Sequence, residues 1–195
     1  MKFLDSIKNH FEESIQVKRL TFNHCAPTIE QAVDIMVKSF KDGKKLLLCG
    51  NGGSAADAQH IAAEFVIRLS HELDRPALPA IALTTDTSVL TAGSNDLGYE
   101  LVFARQVEAL GQSGDVFLGI TTSGNSPNIL RAAEMARKKG MATIGFLGND
   151  GGRGKSLFDA PIVVPSVNVQ HIQEAHITIG HIIVELVEKT LFAAK

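Results

Sequence analysis

The sequence predicts a doubly wound, mostly parallel α/β fold, and three observations carry that expectation. Short apolar runs of strand length alternate with stretches of helical period over most of the chain. Two of these runs end in loops dense in glycine, hydroxyl and amide residues that open directly into helices: Gly50-Asn51-Gly52-Gly53-Ser54 and Thr121-Thr122-Ser123-Gly124-Asn125-Ser126-Pro127. The 195 residues suffice for one domain with a sizeable core and are too few for two comfortable ones. We therefore expect a single domain over 1–195, with a helical segment at 1–43 and an α/β core at 44–195.

Residues 3–23 set Phe3, Leu4, Ile7, Phe11, Ile15 and Leu20 at near-helical spacing, and 29–40 repeats the pattern after Pro27 and Thr28, which predicts two helices before the first strand. An amphipathic helix ahead of such a core has little of its own domain to cover, so we read it as a subunit contact, with packing on the sheet as the alternative. Strands are then expected at 45–49, 80–83, 116–121, 143–147 and 161–164. Helices are expected at 54–69, 87–92, 100–110, 129–139 and 170–192. In open parallel sheets ligands sit at the carboxyl ends of the strands near a topological switch point, so the site should lie just after Cys49, Leu83 and Thr121.

Composition narrows the function classes. Hydrophobic residues make up 45% and charged residues 21%, ordinary for a globular chain, and the net charge of −2 carries no basic block suited to a nucleic-acid backbone. The N-terminal MKFLDSIKNHFEESIQVK interrupts its apolar residues with charge, so neither a signal core nor a membrane span is drawn, and a cytoplasmic location is expected. Cys25 and Cys49 form no CxxC pair or disulfide framework and read as packing residues.

The glycines of the first loop let the backbone approach a ligand, and the helix start behind it offers N–H groups and positive partial charge to an anion. Gly50, Gly52 and Ala55 also satisfy a dinucleotide fingerprint, with Asp74 about twenty residues on. A tight turn with no ligand is the third reading. The second loop adds four hydroxyls at another helix start, a set that can hold a phosphate without a Lys or Arg clamp, whereas a dinucleotide site has no need of it. The alternative is an elaborate N-cap in which Ser126 alone serves the helix. Gly151-Gly152-Arg153-Gly154-Lys155-Ser156 ends like a Walker A loop, but Asn149 stands where the motif requires glycine, and we read it as a surface loop.

His60 and Glu64 are four apart on one helix and share a face, within reach of one proton or one metal ion; the alternative is a solvated surface pair. Gln173 and His181 lie eight apart in the last helix among apolar residues, a setting in which a histidine is usually a satisfied core residue. Taken together, CGNGGSAADAQH, PAIAL, GDVFLGITTSGNS and IQEAHITIGHIIVELVE resemble the sugar isomerase (SIS) domain family and, within it, the phosphoheptose isomerases, across nearly the whole chain.

That resemblance implies roles the residues alone do not. It makes His60, Glu64, Gln173 and His181 ligands of a zinc ion, an N/O donor set in which glutamine is unusual, with Glu64 the catalytic base and His181 its acid/base partner. It assigns substrate contacts to Asn51, Gly52, Gly53, Ser54, Glu64, Asn95, Asp96, Thr121, Thr122, Ser123, Ser126 and Gln173; without it Asn95-Asp96 reads as a turn. Gln173 and His181 stand about 12 Å apart along one helix, so one ion would stretch both, and we expect a composite site at an interface, in a homotetramer. His176 keeps a structural reading, and nothing assigns His10, His24, His71 or His171.

The reaction so implied is the interconversion of sedoheptulose 7-phosphate and D-glycero-D-manno-heptose 7-phosphate through an enediol, towards the heptose of lipopolysaccharide, with no nucleic acid or membrane as partner. A rival reading is a non-catalytic SIS protein resembling the DnaA initiator-associating protein, echoed in FEESIQ, SAADAQH and PALPAIALTTD. Such a binding module has no need of Glu64 and His181. A third is an SIS protein acting on a hexose phosphate, since the two loops see mainly phosphate.

Overall fold

A computed structural model describes residues 2–71 and 73–193. Among these, five strands form one all-parallel sheet: β1 (Leu46–Gly50), β2 (Ala80–Ala82), β3 (Val116–Thr121), β4 (Ala142–Gly148) and β5 (Ala160–Val164), in the order β2-β1-β3-β4-β5. The chain steps outward from β1 to β2, then returns to the other side of β1 for β3, which makes the crevice between β1 and β3 the switch point. There Leu46 pairs with Val116 and Gly50 with Ile120.

Both faces of the sheet are covered, which is why the strands read as near-continuous apolar runs. Leu46, Leu48, Val116, Leu118, Ile120, Ile144 and Phe146 point to one face, packed by α1 (Leu4–Lys41), α2 (Gly53–Val66) and α6 (Val169–Phe192). Leu47, Cys49 and Phe117 point to the other, against α4 (Val102–Leu110) and α5 (Pro127–Lys138). α3 (Thr87–Leu97) runs into a 3-10 turn at Tyr99–Leu101 and then α4, and none of its described residues is buried. Among the described residues no helix is long and apolar enough to cross a membrane.

Two expectations are corrected. The two N-terminal helices are one helix of 38 residues that runs through Pro27. An interior proline costs about 3 kcal/mol, but Cys25, Ile29, Ala32, Val33, Met36 and Val37 form one buried stripe against α6 and β5. The Ile, Val and Met side chains among them contribute about 1.5–3 kcal/mol each, so keeping one axis outweighs the proline. At the other end of α1 every residue from Leu4 to Glu13 is exposed. The helix expected at 87–92 continues to Leu97, because the chain stops at Gly98 (φ 86°) and not at Gly93, whose missing side chain lets Val102 approach.

Candidate functional site

The two glycine- and hydroxyl-bearing loops leave β1 and β3, neighbouring strands at the switch point, and meet there. A side chain at Gly50 would stand 2.4 Å from the Ser54 carbonyl, and Gly52 has φ 55° and ψ −121°, a conformation glycine alone adopts freely. Across the crevice the Asn51 and Asn128 amides exchange hydrogen bonds of 3.0 and 2.8 Å, and the Tyr99 hydroxyl donates to Asn51 Oδ1 at 3.0 Å. Thr121 Oγ1 lies 2.8 Å from Ser126 Oγ and 3.4 Å from Ser123 Oγ, and Ser123 Oγ accepts from the Asn125 amide.

Among the described residues the helix starts around this crevice, like those of α1 and α4, carry no side-chain cap. Asp86 caps α3 and Asn168 caps α6 through their side chains. The N-cap role considered for Ser126 is therefore corrected: its hydroxyl faces Thr121. Two helix starts beside one crevice offer backbone N–H groups and positive dipole ends, the chemistry that suits an anion.

The loop read as a surface feature at 151–156 is a 3-10 turn that buttresses the second loop. Gly154 N donates to the Gly124 carbonyl at 2.9 Å and Arg153 N to Asn125 Oδ1 at 3.0 Å. Gly124 has φ 66°, and a side chain there would meet Gly151 O at 2.0 Å. Beside this turn an open cavity of about 880 Å³ is lined by Ser123, Asn125, Asn149, Asp150 and Ser166 among others.

From the crevice α2 and α6 run side by side in the same direction. Gly53 at the start of α2 has no side chain because the Gln173 amide occupies its place, and Gly180 leaves room for Ile61. Further along, Glu64 Oε1 lies 3.0 Å from His60 Nε2 and 3.3 Å from His181 Nε2. Glu64 Oε2 is buried with no hydrogen-bond partner among the described residues. Burial pushes the Glu64 carboxyl above its ordinary value, and the nearby His181 and His60 draw it back only in part. Behind it Arg75 donates to the Glu64 and Phe65 carbonyls at 2.8 Å each and pairs with the buried Glu188, which ties the end of α2 to α6.

The donors of His60, Glu64 and His181 all lie within 4.8 Å of one another. Donors around a tetrahedral zinc with bonds of about 2.0–2.1 Å stand about 3.3 Å apart, so these three, together with the unpartnered Glu64 Oε2, fit a divalent ion. Gln173 sits at the first turn of α2, about 12 Å along α6 from His181.

Ser54 and Thr121 are buried within the loops, and the Thr122 carbonyl accepts from Asn149. Asn95 and Asp96, expected in a turn, are helical and exposed on α3, where Asn95 Nδ2 donates to Asp96 Oδ1. Sequence reasoning missed Asn128, Tyr99, Arg75 and the 151–156 buttress. Asn128 had a signal, its place directly after Pro127 at a helix start; the others had none.

Known proteins share the sequence and the fold. Residues 9–148 match the SIS domain family. The chain is 58% identical over 184 residues to the phosphoheptose isomerase of Roseiflexus sp., covering 94% of this chain and 92% of that protein. It is 53% identical over 191 residues to that of Clostridium acetobutylicum, covering 97% and 96%. Among solved structures, a phosphoheptose isomerase from Francisella tularensis superposes with a TM-score of 0.91 at 42% identity, covering 97% of this chain and 100% of that one. The chain belongs to the phosphoheptose isomerase family of SIS-domain proteins and is an isomerase.

Proposed function

We propose that the chain interconverts sedoheptulose 7-phosphate and D-glycero-D-manno-heptose 7-phosphate, in the supply of heptose for lipopolysaccharide, in the cytoplasm. The observation that carries the reading is Glu64 held between His60 and His181, at 3.0 and 3.3 Å, on the helix that starts at the anion crevice. The names of the relatives support the substrate class.

The sugar phosphate is anchored by Asn51, Gly52, Gly53 and Ser54 on one side and Thr121, Thr122, Ser123 and Ser126 on the other. Binding energy from the phosphate end thereby orients the reacting end. Glu64 removes a proton from C1 of the ketose, leaving an enediolate across C1 and C2. His181 carries the proton between O1 and O2, and Glu64 returns its proton to C2, so no atom is gained or lost. The raised Glu64 carboxyl suits a base that must both take and release a proton near neutral pH. His60, Glu64 and His181, with Gln173, would hold zinc, which supplies Lewis-acid polarisation of a carbonyl when bound. Gln173 and Asn95-Asp96 complete the substrate contacts.

Completion of the site by a second subunit, in a homotetramer, is part of the same reading. It is supported by the absence of any buried residue among those described in α3 and by the exposed Phe3, Leu4, Ile7, Phe11, Ile15 and Phe22 on α1. A binding module of the DnaA-associating kind would have no use for Glu64 beside His181. The test is incubation with sedoheptulose 7-phosphate in deuterated water, with and without a chelator. Aldose carrying carbon-bound deuterium is expected; the absence of both aldose and deuterium incorporation would overturn the isomerisation.

A further inference from the structure

A second group of metal-ligating side chains lies away from the candidate site, where α1 crosses the first turn of α6. His10, His171 and Glu174 bring one donor atom each within 4.8 Å of one another. Glu174 Oε1 is 3.4 Å from His10 Nε2, and Glu174 Oε2 is 3.3 Å from His171 Nδ1. Each matches the separation of about 3.3 Å between donors around one tetrahedral ion with bonds of about 2.0–2.1 Å, His10 meeting one Glu174 oxygen and His171 the other. The other nitrogen of His171 completes the pattern: Nε2 stands 3.3 Å from Glu13 Oε2.

His171 is buried, and each of its ring nitrogens faces a carboxylate oxygen. A neutral imidazole has one N–H. If Nε2 donates it to Glu13, Nδ1 turns a lone pair on Glu174 Oε2, two acceptors facing each other with a cation wanting between them. That tautomer is also the one a metal ligand adopts when an outer carboxylate holds its second nitrogen. The Ser14 hydroxyl also donates to Glu174 Oε2, which leaves that oxygen a second lone pair for an ion. Among the described residues Lys18 Nζ, 3.7 Å from Glu174 Oε2 and half-exposed, is a cation within reach of the carboxylate, and on its flexible stem it can withdraw as an ion enters.

We infer that His10, His171 and Glu174 form a second divalent metal site, with Glu13 orienting His171. The mixed imidazole and carboxylate set favours a first-row transition ion such as zinc, with water in the remaining position. Its effect is structural: it fastens the otherwise exposed start of α1 to the first turn of α6, next to Gln173.

The experiment is a zinc titration of the full chain, stripped with chelator, followed by calorimetry and by the visible bands of cobalt in a parallel titration. The parent is expected to take up two ions per chain. His10→Gln and Glu174→Gln should each take up one, while His60→Gln keeps the α1–α6 ion and loses the other. His10 is about half exposed, so His10→Gln removes a ligand without opening the core, and circular dichroism checks that each variant is folded. Zinc should also raise the unfolding temperature of the parent by more than that of His10→Gln, since an ion that binds only the folded chain stabilises it. No uptake by the parent, or uptake that His10→Gln and Glu174→Gln leave unchanged, overturns the site. Because His60→Gln reports the other site separately, failure here does not touch the isomerase reading.

Discussion

The two ends of the α2–α6 pair do different work with different materials. At the start, Gly52 and Gly53 strip the chain to its backbone, Gln173 fills the space of an absent side chain, and uncapped amides face the crevice. Three turns further on, side chains take over: Glu64 is sunk between two imidazoles and braced from behind by Arg75 and Glu188. An anion that must only be held can be held by fixed dipoles, which need no titration. Moving a proton needs a group whose charge changes, and its environment must tune that group.

Substitutions at the two ends should therefore fail in different ways. Glu64→Gln keeps the shape and removes the base; kcat is expected to fall by about 10²–10⁴-fold, the usual contribution of general acid–base catalysis, with KM little changed in a steady-state assay. The brace comes next. Arg75→Ala leaves the buried Glu188 carboxylate unpaired, and breaking such a pair costs about 3–5 kcal/mol, read by urea unfolding; survival of full stability would mean the brace does nothing for the reactive end.

At the phosphate end, Ser126→Ala removes one hydroxyl from the Thr121 cluster. A hydrogen bond to a charged group contributes about 1.5–3 kcal/mol, so KM for the sugar phosphate should rise at least tenfold while kcat and the unfolding midpoint stay close to the parent. A fall in kcat alone would break the division between the two ends. The smallest effect is expected at the capped start of α6: Asn168→Ala loses the bond from Gln170 N at 3.0 Å and should cost about 1 kcal/mol of stability without altering KM. The capped start of α6 and the crevice-facing start of α5 would then part, one serving the fold and the other the ligand.

Acid should weaken the fold through a residue between the two ends. His176 is fully buried, donates to the Leu147 carbonyl at 3.0 Å, and burial lowers its pKa to about 4. The unfolded chain, near the ordinary histidine value, binds more protons between about pH 6.5 and 4. The stability His176 contributes is thus complete above that range and is lost as pH falls through it, measurable as a falling urea midpoint that His176→Phe should flatten.

Much of the fold was legible because it is written in short-range patterns. Strand runs, the 3.6-residue stripe of each helix and the glycines of the first loop depend on neighbours a few residues apart. The pair His60 and Glu64 was legible in the same way, being one helical turn apart. The continuity of α1 through Pro27 was not, since a local penalty was outweighed by a stripe buried against α6 and β5, elements more than a hundred residues on. Asn95 and Asp96 were misjudged as a turn for a related reason: Gly93 serves a close approach by Val102, and only Gly98 ends the helix.

By itself the sequence determined most strands and helices, where two loops rich in glycine and hydroxyls stand, and which side chains to consider for chemistry. Only the tertiary structure decided what meets what: Asn51 with Asn128, the 151–156 turn with the second loop, His181 with Glu64, and His171 with Glu13 and Glu174. Apart from His171 with Glu174, one turn apart on α6, these pairings join residues 28 to 158 positions apart, and strand order and helix direction set them. Local sterics fix each element, but the packing of whole faces fixes their partners.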